Sequence, residues 1–595
     1  MLNVDMIAKK LTALTLVAVL ALTASPVVVF ADDVSFADRR IVAENNDKKT
    51  KLGDISVEEE GAAVDVYVSN SHTADLNTGS LENSAEGSDS QALNVDADKG
   101  GEAKVFVDGD INAKNVGIAA CSESKGKIDI GISGKVTTGN NPDEIDIGIL
   151  ASDGELGSGV SGGETNIAVL GGVKSEAWAI RTQVRNGGNT TIDVTGDVTS
   201  DFIAVDTLSL NGSNEINIDG NVSSSVDSAS DVLAPVIVWS PGKKGQTTVR
   251  VSGDITNDNG IGMVIGARDL DPEQTNGLSV SHQENPGYSN NRFWEGKEGG
   301  KNEVVVEGTI KAKTYGIVVD ANSTTDPGVI SVWKIEKNEN GAVAATSTLD
   351  SDDKPIYTES EELEKNIQYI IKCKQPSKGG SFSITDENGN ALGVVKGLLD
   401  TYQWAHEDDK LLVKIDLDDH YKLNGVYGDE GQMLKLTKDE NGNYYLVVPR
   451  GGGVFFTIDV DKVKEQSNSA SNSTTDNKTA VEVSGASINP LDTYLALTGK
   501  SVDLITRMLI YSIIGAPLSG TISINTGRLI DPTIVHFMLQ RTDLTYILSF
   551  DLGNDHIVMT IPSNSDISQY IDKSGQLDLA KLISIFPNTR EPRHN

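Results

Sequence analysis

Four aspartates and three arginines are the residues of this chain best suited to do chemistry. They are Asp193, Asp197, Asp219, Asp254, Arg181, Arg185 and Arg250. A glycosidase needs paired carboxyl groups, and a polysaccharide lyase needs a basic residue to accept a proton. Carboxylates stacked on successive turns of a repeat could also hold Ca²⁺, because oxygen ligands suit that ion.

The position shared by Asp197 and Asp254 argues against fixed chemistry. Other copies of the same motif hold Lys135, Gly172, Asn221 and Thr309 there. Such variety is typical of an outward polar site under little chemical constraint. The seven histidines also lack metal-ligand spacing; they are His72, His282, His406, His420, His536, His556 and His594. We therefore predict no catalytic residue, no metal site and no cofactor.

The motif itself is an apolar residue, any residue, Gly, a polar residue, then Val or Ile. Its glycines are Gly109, Gly134, Gly171, Gly196, Gly220, Gly253 and Gly308. Three of the six intervals are 24 or 25 residues, and the others fit the same period with inserted loops. A period of that length indicates a stacked solenoid.

The residues around each motif indicate three short strands per repeat. An alternating run such as 191–194 precedes the glycine, Val or Ile follows it, and a third apolar piece such as 203–205 comes next. Three strands in about 25 residues predict one coil of a parallel β-helix, right-handed by the crossover rule. Glycine at the corner would allow a positive φ or a close backbone approach. The alternative is an array of β-sandwiches, which would repeat at about 100 residues.

The longest interval, between Gly253 and Gly308, contains the predicted ligand-binding residues. Tyr288, Phe293 and Trp294 stand there among polar residues. Insertions in a solenoid usually decorate its binding face, so these aromatic side chains are expected to contact a ligand. For the tryptophans of the chain as a group, packing is the expected role rather than sugar stacking.

Charge and the N-terminal residues limit the possible partners and location. The 86 acidic and 50 basic residues give a net charge of −36, which argues against nucleic acid as a partner. Lys9-Lys10, the uncharged residues 11–30 and Ala31 predict a signal peptide cleaved after Ala31. The alternative is an uncleaved membrane anchor. We expect a secreted, extracellular or cell-surface protein with no membrane span after cleavage, and no disulfide between Cys121 and Cys373.

Changes in residue composition and pattern along the chain predict seven parts. They are a signal peptide (1–31), an N-terminal leader or cap (32–59), parallel β-helix repeats (60–335), a connector (336–365), a small β module (366–464), a disordered linker (465–482) and an α+β C-terminal domain (483–595). The fold class is therefore mainly β: a right-handed parallel β-helix, a small β module and a small α+β domain.

Two segments resemble domains of secreted bacterial proteins. Tyr421-Lys422-Leu423 with the aromatic strand 444–449 resembles a β repeat module of bacterial surface proteins, although Val448 replaces the usual Met. This resemblance implies a stalk or spacer. Residues 524–527 and 560–562 resemble an uncharacterised domain at the C-termini of secreted Gram-positive proteins, although Ser563-Asn564 replace its usual Ala-Gly. This second resemblance implies location and architecture but no site.

Together these patterns predict an adhesin-like cell-surface scaffold without catalysis. Its partner would be an extracellular glycan or a surface protein of a host or bacterium. The alternative is a β-helix carbohydrate-active enzyme, either a polysaccharide lyase or a glycosidase. The two differ in whether acidic and basic residues converge in one groove on adjacent coils.

Overall fold

A computed structural model describes two parts of the chain. The described residues are 35–463 without 88–89, 140–145, 154–159, 210, 229–231, 241–243, 267–299, 321–327, 340, 351–353, 377, 429–432, 435 and 439–443, together with 513, 521–525, 530, 532–542, 544–552, 555–563, 565, 567–571, 577, 579–583 and 585–592. Two compact units divide at residues 467 and 468. The protein is mainly β, as predicted.

A parallel β-solenoid forms most of the first unit. It begins with helix α1 (Phe36–Arg39) and then has eight complete coils, each with one strand on faces A, B and C in turn. In that order the coils are β1 (Arg40–Ala43), β2 (Lys48–Lys51), β3 (Ile55–Val57); β4 (Ala62–Val68), β5 (Thr73–Thr78), β6 (Leu81–Asn83); β7 (Gln91–Ala97), β8 (Glu102–Val107), β9 (Ile111–Ala113); β10 (Val116–Ser122), β11 (Lys127–Ile132), β12 (Val136–Thr138); β13 (Ile147–Asp153), β14 (Glu164–Val169), β15 (Val173–Ser175); β16 (Trp178–Val184), β17 (Asn189–Thr195), β18 (Val198–Ser200); β19 (Ile203–Ser209), β20 (Ser213–Asp219), β21 (Val222–Ser224); and β22 (Val236–Trp239), β23 (Gln246–Val251), β24 (Ile255–Asn257).

The solenoid core consists of the inward residues of the alternating strands. Val194 pairs with Ile218, and Ile218 pairs with Val251, in parallel register on face B. All three side chains are at most 2% exposed and belong to one continuous core. These residues therefore form a stacked inward column, as expected from the alternation of apolar residues in each strand. Burial of Val and Ile on successive strands is the main stabilising contribution here.

The glycines of the motif lie on the corner between faces B and C, where successive coils approach most closely. A Cβ atom on Gly220 would lie 2.3 Å from the carbonyl oxygen of Gly196, and one on Gly253 would lie 2.6 Å from that of Gly220. Gly196 also has a φ of +121°. Both reasons predicted for glycine at this corner therefore apply, and close stacking recurs from coil to coil.

The solenoid extends beyond the segment that carries the motif. Coil 1 comes from residues 40–57, within the segment predicted as a leader or cap. Its corner reads Lys51-Leu52-Gly53-Asp54-Ile55, and Lys51 pairs with Asn77 of coil 2. The buried Leu52 takes the inward position directly before the glycine, so this corner is one residue shorter than the motif. After coil 8, the strands β25 (Met263–Ile265), β26 (Lys301–Ala312), β27 (Ile317–Asp320), β28 (Val329–Ile335) and β29 (Ala344–Leu349) continue the parallel stacking, and β30 (Pro355–Glu359) then pairs antiparallel with β29.

The small β module is joined to the end of the solenoid by strand pairing. It follows helix α2 (Glu361–Asn366) and contains β31 (Gln368–Lys374), β32 (Gly380–Thr385), β33 (Gly393–Lys396), β34 (Thr401–Ala405), β35 (Lys410–Leu417), β36 (Tyr421–Tyr427), β37 (Thr437–Lys438), β38 (Tyr444–Val447) and β39 (Phe455–Lys462). Strand β31 pairs in parallel with β28, and the module shares the solenoid's hydrophobic core. It therefore caps the solenoid at this end.

The second unit is a small α+β domain with its own core. Its elements are β40 (Thr521–Asn525), α3 (Pro532–Gln540), β41 (Thr545–Leu552), β42 (Asp555–Ile561), a 3₁₀ turn (Ser568–Tyr570), α4 (Leu579–Ile583) and β43 (Asn588–Pro592). Strands β41 and β42 pair antiparallel as a hairpin, and α3 begins at Pro532, a residue type favoured at the first position of a helix. Phe537, Leu548 and Met559 belong to its buried core.

Candidate functional site

The aspartates at the polar motif position lie along the corner between faces B and C. Asp197 Oδ1 accepts the backbone N–H of Asn221 at 2.8 Å, and Asn221 Oδ1 accepts that of Asp254 at 2.9 Å. Asp254 Oδ1 in turn accepts the backbone N–H of Thr309 at 2.7 Å. Each side-chain oxygen thus satisfies a backbone donor of the next coil. Asp197 is exposed, as expected of an outward polar position, and its hydrogen bond to the next coil adds a contact that the sequence did not indicate.

Asp193 lies on the outer side of face B, and Asp219 is the last residue of a face B strand. The Asn217 side-chain amide donates to Asp193 at 2.9 Å, and the Ser252 hydroxyl donates to Asp219 at 2.9 Å. Both donors belong to the next coil along the axis. These carboxylates therefore also link neighbouring coils, which is a structural role.

The three arginines are divided between two faces. Arg250 lies on face B, where its guanidinium forms ion pairs with Glu215 and Glu303, each at 3.1 Å. Arg181 lies on face A, opposite Asp206 in the register, with Nε 3.5 Å from that carboxylate. Arg185 follows the same face A strand and donates to Gln183 at 2.6 Å. The predicted acidic and basic residues therefore do not form one cluster among the described residues.

A buried arginine–aspartate pair, Arg181 and Asp206, lies on the outer side of face A and joins two adjacent coils. Arg181 is 1% exposed, Asp206 is 2% exposed, and the guanidinium lies 5.1 Å from the ring centroid of Trp178. Buried charges persist in proteins when they are paired, and a cation over an indole ring gains further attraction. The pair joins coils 6 and 7 within an apolar surface.

Apolar side chains form a buried cluster on the outer side of face A, where a solenoid face normally contacts water. Large side chains of this cluster include Leu150, Leu208, Ile237 and Trp239, all nearly fully buried. The connection after β21 contributes Val226, Val232 and Leu233 to the same cluster. Trp178 and Trp239 are buried at 4% and 2% exposure, which confirms packing as the role of these two tryptophans.

One buried carboxyl group inside the solenoid was missed by the sequence reasoning. Asp153 is at an inward position of β13, is 0% exposed, and accepts hydrogen bonds from the hydroxyls of Ser122, Thr165 and Thr190. Burial raises its pKa to about 7, and the three hydroxyl donors only partly oppose that rise. The signal was present in the sequence, because strand alternation places residue 153 on the same side as Ile149.

A second missed carboxyl group connects the solenoid to the module. Glu307 lies on β26 and accepts the backbone N–H groups of Leu398 and Leu399, the latter at 2.9 Å, and the Tyr402 hydroxyl at 2.5 Å. Burial raises the pKa of Glu307. The hairpin of β33 and β34 thus folds back against the outer side of face B. No local pattern around Glu307 predicts a partner about 90 residues away.

Metal ligation and thiol chemistry find no support among the described residues. No group of three His, Cys, Asp or Glu side chains in that part of the chain is arranged to hold a metal ion. Cys121 and Cys373 are free thiols. Burial raises the pKa of the Cys121 thiol well above its usual range, so this thiol is a poor nucleophile at neutral pH. Cys373 is exposed.

The longest connection of the solenoid lies at the corner between faces A and B, although the corner between faces C and A also carries connections of 7, 8 and 11 residues after β6, β12 and β21. In coils 1–4, 6 and 7 the connection between faces A and B has three or four residues. After β13, β22, β25 and β27 it has 10, 6, 35 and 8 residues. Tyr288, Phe293 and Trp294 belong to the longest connection and lie outside the described residues.

Both ends of the longest connection are fixed to the coils. The backbone N–H of Gly266 donates to Val238 at 2.8 Å, and that of Gly300 donates to Ser240 at 2.7 Å. Across the insertion, β22 pairs with β25 and β23 pairs with β26 without a break in the stacking. The residues at both ends of this 35-residue connection are therefore held by hydrogen bonds to the neighbouring coil.

Comparison with known proteins identifies no relative of this chain. No protein-family model, curated protein or solved structure matches the chain. Within the described residues, no helix has the length and apolar character needed to cross a membrane.

Proposed function

We propose that this protein is a secreted, adhesin-like cell-surface scaffold that binds an extracellular glycan or a protein surface and performs no catalysis. The observation that carries the proposal is the unbroken strand stacking on both sides of the connection between Ile265 and Lys301. Because the strand register continues across a long insertion, the coils can stabilise the fold while the insertion binds a partner. The stacking of the coils thus leaves the insertion available for recognition.

The roles of the carboxylates support the same proposal. Asp193, Asp197, Asp219 and Asp254 each accept a hydrogen bond from the following coil. A glycosidase needs two carboxyl groups facing a common space, and a lyase needs a basic group beside its substrate. Asp193 and Asp219 lie on adjacent coils, however, so the alternative of a carbohydrate-active enzyme has a specific pair of residues to test.

The test uses the full secreted chain on a glycan array and on whole bacterial or host cells. Tyr288→Ala, Phe293→Ala and Trp294→Ala are combined in one variant. The matched control is Tyr444→Ala, which removes an aromatic side chain that is 37% exposed on the module. We expect binding to fall at least tenfold in the triple variant and to stay unchanged in the control, with equal melting temperatures.

The same preparations are assayed for released reducing ends and for unsaturated sugars. We expect neither product. Turnover of a polysaccharide that disappears in Asp193→Ala or Asp219→Ala, with the fold intact, would replace the scaffold proposal with the enzyme. Equal binding by the triple variant and the wild type would show that the insertion is not the recognition element.

A further inference from the structure

The first coil breaks the apolar columns of the solenoid at their N-terminal end. On face B, Ala74, Ala103 and Ile128 form one inward column, and the next residue of that column in coil 1 is Lys48. The neighbouring column of Leu76, Val105 and Ile130 ends in coil 1 at Thr50. Ala74 and Leu76 are fully buried, whereas Lys48 is exposed and Thr50 is half-buried.

The same coil is an edge of the sheet. Among the described residues, β1, β2 and β3 each pair with a strand on one side only. An edge strand carries unpaired N–H and C=O groups, which can pair with a strand of another chain. A solenoid end with continuous apolar columns would stack on a second copy unless some feature of the edge prevents strand pairing.

Coil 1 has the composition that prevents such pairing. Strand β2 reads Lys48-Lys49-Thr50-Lys51, so three of its four residues are lysines in a chain of net charge −36. Two copies meeting edge to edge at β2 would bring six lysines together, and like charges directly opposite one another destabilise strand pairs. An inward-pointing lysine also cannot be buried there without losing its hydration.

We propose that coil 1 is a built-in block against self-association, in which Lys48 and Thr50 keep the N-terminal edge from pairing with the same edge of a second copy. The opposite end needs no such block on face B, because β31 and the module cover it. The partner excluded is thus specific: another molecule of this protein, joined through β2. This inference does not depend on the proposed scaffold function.

The test is the oligomeric state of the full chain with Lys48→Val and Thr50→Val, which extends two apolar columns by one coil. The matched control is Lys174→Val with Thr199→Val, because these residues pair across β15 and β18 on the outer side of face C, away from the edge. Both variants gain the same two apolar side chains. Sedimentation velocity is measured from about 1 to about 100 µM, the range in which exposed edges cause association.

We expect the wild type and the control to remain monomeric and the edge variant to form dimers within this range. Hydrogen exchange of the dimer should show new protection in β1–β3. Lys48→Val alone is the second variant, and it should shift the association in the same direction if the double variant folds poorly. A folded edge variant that stays monomeric, or a wild type that already dimerises through β2, would overturn the proposal.

Discussion

Replacing Asp153 by Asn should stabilise the protein at alkaline pH and have little effect at acid pH. The pKa of the buried carboxyl group is raised from its ordinary 3.8 to about 7. One pKa unit corresponds to about 1.4 kcal/mol, so the ionised form lowers the free energy of unfolding by about 4 kcal/mol above pH 7. Asn has nearly the same volume, carries no charge and can still accept hydrogen bonds from the surrounding hydroxyls.

The sign of the pH dependence follows from proton binding. Between about pH 4 and pH 7 the folded state holds a proton on Asp153 that the unfolded state has lost. The free energy of unfolding of the wild type therefore falls as the pH rises through this window, and this contribution is constant above it. The variant lacks this slope. The difference between variant and wild type should grow from near zero at pH 4 to about 4 kcal/mol at pH 8.

Urea unfolding of the full chain at pH 4, 6 and 8, followed by circular dichroism, measures this difference. Hydrogen exchange in β13 and β14 reports whether the change is local to the coils around residue 153. Asp197→Asn is the matched control, because it makes the same substitution at an exposed position. A variant that is less stable at pH 8, or a difference that does not change with pH, would refute the reasoning.

Three further predictions concern the coil stacking and the cap. Ile218→Asp should lower the free energy of unfolding by about 4 kcal/mol or more, because an unpaired carboxylate would enter a fully buried column; thermal and urea unfolding measure it. Asp197→Ala should change the free energy of unfolding by about half a kcal/mol or less, because water can replace the carboxylate as acceptor for the exposed Asn221 N–H; urea unfolding and exchange of that amide measure it. Glu307→Gln should loosen the β33–β34 hairpin by about 1 to 2 kcal/mol, because the amide cannot satisfy all three donors as well as a carboxylate; limited proteolysis and amide exchange at residues 397–400 measure it.

Each of these outcomes has a control and a contradicting result. Thr199→Asp places the same carboxylate on the outer side of face C, so equal stability losses at Thr199 and Ile218 would contradict the inward assignment. A loss above about 1 kcal/mol for Asp197→Ala would show that its bond to Asn221 contributes to coil stacking. Unchanged exchange in the hairpin of Glu307→Gln would mean that the contacts of Glu307 are not needed to hold the hairpin.

The repeat unit could be predicted from the sequence because it depends on local chemistry. Alternation of Val and Ile marks a half-buried strand, and Gly220 marks a corner, whatever the rest of the chain does. The stacked column of Val194, Ile218 and Val251 follows from that periodicity alone. Helix α3 and the hairpin of β41 and β42 were predictable for the same reason, since proline placement and strand alternation are local signals.

The roles of the polar residues could not be predicted from the sequence, because each depends on a partner in another coil or module. Asp197 looks like a solvated aspartate until Asn221 is placed one coil away, with 24 residues between them. Arg181 pairs with Asp206, and Arg250 pairs with Glu215 and Glu303, and none of these partners is a neighbour in sequence. Coil 1 showed no motif because its corner has one residue fewer between the inward Leu52 and Ile55 than the motif has.

The sequence by itself therefore determined the period, the strands and the inward residues, since these follow from side-chain alternation and the steric limits of glycine. Only the tertiary structure decided which carboxylates are buried, paired or exposed. Asp153 and Glu307 have raised pKa values because chain segments far apart in sequence remove water from them. Desolvation is a property of the assembled coils, and no residue carries it in isolation.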